Sequence, residues 1–478
     1  MRWYRDLTAI QRLILLALAL SVVAVVGLLV WSIRSSGLTD PERSPVATPF
    51  GSADSPLSTP SPQPSATSDL APTPSPRPTV AFDISRAGII ASEVAEVRET
   101  RNRWGTPLTL VDDLGMAQAI YARHESWPPL AMRMETVLRA MHLWFWDPLR
   151  LDIVAQAKGT AAYYTPELEE LYLRRDWTDS ITTLETQLAY GYARALPDQY
   201  GNLTDLIHEA ASLDRQLALT AVAEGDALLA LWLYMGVAPG SVAAQEIQET
   251  VADANCPKWQ VGDPLLLNLS CLSLELGADF TRARYEDGGI GALDEAILRP
   301  PRSTEQLLHP ERYADDPDEP RVLSPLEPSL ERGFVLTATE TVGEALMGVI
   351  FEEWSNGMAT PDAVAGWDGD LLQIWENAEG ETVAVWQTVW DEATTAREFY
   401  TQLSDLMPDP LVSGFIRDRT APSDLPWGKW WAGRQGTVFI YRWTDQVWLV
   451  WGDDAATVET VGAALPRASA PSPVAPMD

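Results

Sequence analysis

The sequence predicts an α+β protein on a membrane tether: an N-terminal transmembrane helix, a mainly helical domain holding a small sheet, and a C-terminal antiparallel sheet with helices on one face. Three observations carry that expectation. Residues 13–33, LILLALALSVVAVVGLLVWSI, hold no charge between Arg12 and Arg34. Between about 83 and 325, apolar residues recur every three or four positions in long runs, which is the helical period. Between about 330 and 464, two strand-strand-helix patterns follow one another with turn signals between the strands.

The apolar run is long enough to cross a bilayer, since 21 residues at about 1.5 Å each match the roughly 30 Å hydrocarbon core. A cleaved signal peptide would end at a small-residue site, which SIRSSGLTD does not supply. Arg2, Arg5 and Arg12 precede the run, so residues 1–12 are expected in the cytoplasm and everything after Arg34 outside it. The expected location is therefore the cell membrane, single-pass, with the main domains extracytoplasmic. Residues 34–82 are rich in Ser, Thr and Pro and read as a disordered stalk, and residues 465–478 read as a disordered tail.

A formal net charge of -33 repels a phosphate backbone, so nucleic acid is not an expected partner. Spread over a chain that is 46% hydrophobic, this acidity is a solubility feature of a folded surface. The two cysteines, Cys256 and Cys271, are too few for a disulfide scaffold and lack zinc-ribbon spacing; one loop-closing disulfide and two free buried thiols both remain open.

Within the central domain, 83–325, TLVDDLGMAQAIYARH and METVLRAMHLWFW have helical periodicity. LDIVAQAKGTAAYYTPELEELYLRR reads as strands, with TPELEE as a turn. SITTLETQLAYGYARAL, LIHEAASLDRQLALTAVAEGDALLALWLYMG and SVAAQEIQETVADA read as long helices.

The run LETQLAYGYARALPDQYGNL, followed about thirty residues later by LTAVAEGDALLALWLY, resembles a bacterial family of extracytoplasmic zincin-like metallopeptidases. In that family one helix carries His-Glu-x-x-His ahead of Ala-Leu-x-Asp-Gln, and a later helix carries Glu-Gly-Asp-Ala. YYTPELEELYL resembles the hairpin before the metal helix, and PPRSTEQLLHPERY, residues 300–313, resembles the segment that closes the domain.

Aligned on Ala195-Leu196 and Asp198-Gln199, the resemblance puts Tyr190 and Arg194 at the two histidine positions and Gly191 at the glutamate position. Residues i and i+4 share a helix face, so Tyr190 and Arg194 point where two imidazoles would meet the metal. A guanidinium stays protonated and offers only N–H groups. Gly191 has no side chain to take a proton from a metal-bound water. Glu224 matches the third ligand, and the resemblance implies an ion pair between Arg194 and Glu224 with Asp226 beside it in a vestigial cleft. It thus implies a degenerate member with no metal, no cofactor and no catalytic residue.

Other constellations read blandly. The run from His208 to Ser212 begins like the zinc motif but ends in Ser. His124, His142 and His309 lack ligand spacing, there is no G-x-S-x-G elbow, and Gly288 to Gly291 reads as a turn. Tryptophan is concentrated in the 330–464 module, opened by the helical lead-in ERGFVLTATETVGEALMGVIFEEW. A tryptophan at a strand position fills a sheet-helix core more often than it forms a binding platform. Trp430 and Trp431 are the exception, because adjacent strand residues face opposite ways and one of the two is expected at the surface.

The sequence therefore leads to a membrane-anchored, non-catalytic pseudo-metallopeptidase that binds an unidentified peptide or protein in the vestigial cleft, or serves as a scaffold. An active metallopeptidase with unidentified ligands and a cell-envelope glycan or peptide binder are the alternatives.

Overall fold

Serine and aspartate caps punctuate the helical half of the chain in the computed structural model, which describes residues 79–466 apart from 101–104, 127–128, 144–149, 261–262, 315–316, 356–362, 408–414, 418–427 and 434–435. The apolar run at 13–33, nearly all of the stalk and the tail beyond 466 lie outside the described residues. Val80 N donates to Trp177 O at 2.6 Å, and Val80 and Phe82 pack on the core, so the last residues assigned to the stalk belong to the folded body.

The first part runs α1 (Ser85–Val97), β1 (Leu108–Val111), α2 (Asp113–Ser126), α3 (Pro129–Ala140), α4 (Ile153–Gly159), β2 (Ala162–Thr165), β3 (Glu170–Arg174), α5 (Ile181–Gly201), α6 (Leu203–His208), α7 (Leu213–Tyr234), α8 (Val242–Asn255) and α9 (Pro264–Leu298). Side-chain oxygens of Asp152, Ser180, Ser212, Ser241 and Asp263 accept from backbone N–H groups at the starts of α4, α5, α7, α8 and α9. Asn202, with φ 52°, ends α5 in the left-handed conformation that asparagine tolerates.

The YY and LYL segments pair as an antiparallel hairpin across a turn at Pro166–Leu168, as their β-forming side chains predict. Three expectations change. Residues Ile153–Gly159 form a helix, not a strand, because Asp152 caps it and Ala, Gln and Lys favour that state. Thr109–Val111, expected at the start of a helix, form with Leu108 the strand β1, which pairs parallel with β3 and gives a sheet ordered β1-β3-β2. The long run from 206 to 236 is divided between α6 and α7 at the Ser212 cap. Gly288 and Gly289 are non-helical and kink α9, consistent with the turn read there.

Among the described residues α7 is apolar and long enough to cross a membrane by length and composition, yet 83% of its apolar window is buried inside the fold. It is the central core helix, apolar all round because neighbours cover every face. It crosses α9 at Gly225 and Gly277 with the backbones touching: a Cβ built on Gly225 would stand 2.2 Å from Gly277 O.

After α10 (Glu305–Leu308) and α11 (Pro310–Tyr313) come β4 (Val335–Glu340), α12 (Glu344–Trp354), β5 (Trp367–Glu376), β6 (Thr382–Trp390), α13 (Ala393–Leu406), β7 (Phe415–Arg417), β8 (Lys429–Gly433), β9 (Gly436–Trp443), β10 (Gln446–Gly452) and α14 (Ala455–Ala464). The expected helical lead-in is thus a strand followed by a helix. Its Val-Leu-Thr-Ala-Thr run pairs with β5 at the sheet edge. The seven strands are ordered β4-β5-β6-β10-β9-β8-β7 and pair antiparallel throughout. The two strand-strand-helix units abut through β6 and β10, with Trp386 opposite Leu449.

The expectation of helices on one face is corrected. Phe399 and Leu403 of α13 share a core with Trp386, Leu449 and Trp451, whereas Val458 and Val461 of α14 pack with Val385, Trp448 and Val450 on the other face. Strand alternation sends successive residues to opposite sides, and both sides are apolar here, so both need a cover. The first of these cores also takes in Leu213 and Leu217 of α7, Met134 of α3 and Leu346 and Ile350 of α12. The helical part and the sheet therefore share one hydrophobic core within the compact unit Ser75–Asp478.

Candidate functional site

Two neighbouring core helices, α5 and α7, bring Tyr190, Arg194 and Glu224 together. Tyr190 and Arg194 are four residues apart and are buried on one face of α5. Arg194 Nε lies 3.2 Å from Glu224 Oε1, with side-chain exposures of 5% and 13%. The Tyr190 hydroxyl donates to Glu224 Oε2. Both carboxylate oxygens are thus engaged by protein groups, while Arg194 Nη1 is buried without a hydrogen-bond partner.

Burial works against the Arg194 charge, but Glu224, Tyr190 and Asp198 outweigh it and hold the guanidinium above its ordinary pKa. The cation is permanent at any physiological pH. Burial, and then the Glu224 charge, push the Tyr190 hydroxyl well above the ordinary phenol range, so it remains a donor.

Gly191 faces the sheet. A Cβ there would come within 2.4 Å of Leu171 Cδ1, so the residue is an approach point between α5 and β3.

Asp226 does not join this group. Its Oδ1 accepts from Arg98 Nε at 2.8 Å, both residues are buried, and Arg98 also reaches Asp294 at 2.9 Å. Burial raises the Asp226 pKa, opposed by Arg98. This second buried ion pair was not expected from the sequence, because its partners lie 128 residues apart with no motif around Arg98.

Arg123 is a further missed residue. Its Nη1 donates to the Tyr163 hydroxyl at 3.0 Å, its guanidinium lies over the Tyr163 ring, and its Nε is 4.0 Å from Glu167. The same Glu167 oxygen lies 3.9 Å from His208 Nε2, so the histidine of the false zinc motif meets a carboxylate. Asp198 accepts from Thr204 N and Oγ1 at 3.1 and 2.8 Å and ties the end of α5 to α6.

The donor set does not fit zinc. Zinc binding calls for three protein ligands with free lone pairs, and Tyr190, Arg194 and Glu224 offer one carboxylate that is already bonded on both oxygens. One other acidic group among the described residues could gather round a cation, Glu305, Asp318 and Asp391. Arg312 fills it, at 2.5 Å from Glu305, 3.3 Å from Asp318 and 2.8 Å from Asp391.

A family model described as "Domain of unknown function (DUF8575)" matches residues 333–462. No curated protein and no solved structure matches the chain. The matched segment is the seven-stranded sheet with its helices and does not include Tyr190, Arg194 or Glu224.

Within that segment the tryptophan pair expected to reach the surface does not, while Trp443 is half-buried and Trp427 lies outside the described residues. Trp430 and Trp431 are both buried, at 4% and 1% exposure, so neither is a surface aromatic. They point to opposite faces as alternation requires, but Trp430 enters the α14 core and Trp431 the α13 core. Trp367, Trp375, Trp386, Trp390, Trp448 and Trp451 are buried as well.

Proposed function

We propose that this chain is a membrane-anchored, extracytoplasmic pseudo-metallopeptidase with a non-catalytic binding or scaffolding role. One observation carries the reading: the two helix positions that the zincin resemblance assigns to histidines hold a tyrosine and an arginine, and both are bonded to the glutamate assigned as third ligand. A fixed guanidinium replaces a coordinated dication and neutralises the same carboxylate. No side chain at Gly191 can accept a proton from water.

The anchoring half of the proposal rests on the uncharged run at 13–33 and the arginines before it. Metal analysis of the purified chain, together with an assay on a broad peptide mixture, tests the non-catalytic half. About one tightly held zinc per chain with peptide cleavage overturns it. Carbonate-resistant membrane retention, with the folded body open to protease from outside, is expected for the anchoring half. Release by carbonate sinks that half alone.

A further inference from the structure

Beside the Tyr190–Arg194–Glu224 group lies a cavity of about 170 Å³ whose lining includes Glu224. Ile120, Leu130, Met134, Leu217, Leu269 and Leu274 supply apolar wall from α2, α3, α7 and α9. Several polar side chains that line the cavity are committed to the protein itself. Gln156 donates to Ala254 O and accepts from Lys258 N, and Thr220 donates to Gln216 O. Asn255 donates to Val251 O, while Ser270 donates to Leu266 O and accepts from Trp259 Nε1. Of the charged lining residues, Glu224 is held by Arg194 and Tyr190, and Arg123 by Tyr163.

A polar guest would therefore find most of these groups already engaged, whereas an apolar guest meets a wall that is mainly apolar. An apolar cavity of about 150 Å³ accepts benzene, and the apolar part of this wall offers comparable room.

The wall also has a covalent tie. Cys256 and Cys271 form a disulfide between the end of α8 and the first half of α9. Asn255, Cys256, Pro257 and Trp259 on one side of it, and Leu269, Ser270, Ser273 and Leu274 on the other, line the cavity.

We propose that this cavity is a binding site for an uncharged apolar group, an aryl ring or short alkyl chain, whose wall the Cys256–Cys271 disulfide holds in place. The proposal rests on the reading of a non-catalytic binding domain and names the ligand class. Its test is separate from the metal analysis and peptide-cleavage assay that decide the non-catalytic half of that reading.

Benzene and indole serve as probes on the full chain in detergent, followed by calorimetric titration and by thermal unfolding. Saturable heats and a raised Tm are expected with benzene. Leu130→Trp, which fills the cavity from its half-buried side, is expected to weaken benzene at least about tenfold. Leu130→Ala, which enlarges it, is expected to shift preference from benzene toward indole. The double variant Cys256→Ser/Cys271→Ser, folded by circular dichroism, is expected to bind benzene several-fold more weakly. Absence of heat and Tm change for both probes in the wild-type chain overturns the site, as does benzene affinity indifferent to both Leu130 variants. Unchanged affinity in the double serine variant overturns the role of the disulfide.

Discussion

Arg194 Nε stands 3.2 Å from Glu224 Oε1, and Tyr190 occupies the other carboxylate oxygen, so one glutamate answers a cation and a phenol at once. Removing the glutamate leaves a permanent cation buried beside a hydroxyl with no acceptor. Breaking a buried pair on one side costs about 3 to 5 kcal/mol, while replacing both partners with apolar groups is often neutral. Glu224→Ala is expected to lose about 3 kcal/mol in urea unfolding, and Arg194→Met with Glu224→Leu is expected to lose less than Glu224→Ala alone. A double variant as damaged as the sum of its single variants would contradict a direct pair.

Zinc binding offers the constructive counterpart. Tyr190→His with Arg194→His removes the cation, frees Glu224 and places two imidazoles one helical turn apart against it. Gly191 is left alone, because any side chain there must displace Leu171. The double variant is expected to take up about one zinc per chain, with affinity falling as histidine protonates below about pH 6, and to remain without peptidase activity. A folded double variant with the wild-type's metal content, measured by plasma emission, sinks the assignment of this helix as a former metal helix.

How far the sequence reaches is visible in these same residues. Arg194 and Tyr190 share a face by helical period alone, and Glu224 sits on a run apolar enough to be a core helix, so their meeting is legible from local pattern. Arg98 and Arg123 are not, since each finds its partner only through tertiary packing, Arg98 with Asp226 of α7 and Arg123 with Tyr163 of β2. Leu-Thr-Leu-Val at 108–111 fits helix and strand equally, and only pairing with β3 decides it. Trp430 and Trp431 obey the alternation that the sequence implies. Their burial depends on a second layer behind the sheet, which alternation cannot count.

Acid stability should be unusual. Asp214 is buried and accepts from Thr304 N and Oγ1 at 3.0 and 2.5 Å; burial outweighs those bonds and the nearby Asp370 charge adds to it, pushing its pKa up to about 7. Burial likewise pushes Asp370 up to about 6 against four donors, Val342 N, Gly343 N, Trp367 Nε1 and Trp386 Nε1. Glu305, pushed up to about 9 by burial against Arg312, adds to the same trend. Carboxyls with raised folded-state pKa values hold their protons more tightly folded than unfolded. Their stabilising contribution is complete below the ordinary 3.8 for aspartate and is lost as pH rises through 6 and 7. Urea unfolding free energy is expected to fall by a few kcal/mol, as an order of magnitude, between about pH 5 and pH 8, and Asp214→Asn is expected to flatten that fall. A wild-type profile that is level or rising over this range would refute it.

Gly225, directly after Glu224, sets two physical effects against each other. Alanine is the better helix former by about 1 kcal/mol, so on an exposed helix Gly225→Ala would stabilise. Here the new Cβ would stand 2.2 Å from Gly277 O and 2.7 Å from Thr281 Cγ2, and one on Gly277 would stand 2.1 Å from Ala221 O. The obstacles at both glycines include rigid backbone, so α7 and α9 must separate along their crossing, and overpacking of this kind costs about 1 to 3 kcal/mol or more. Steric cost exceeds helix propensity, and Gly225→Ala is expected to destabilise by about 2 kcal/mol in urea unfolding. Because Glu224 rides on the same turn, its contact with Arg194 should loosen with the crossing. Adding Gly225→Ala to Glu224→Ala is therefore expected to cost less than the two single losses together. A Gly225→Ala chain as stable as the wild type would mean that the two helices do not cross in backbone contact.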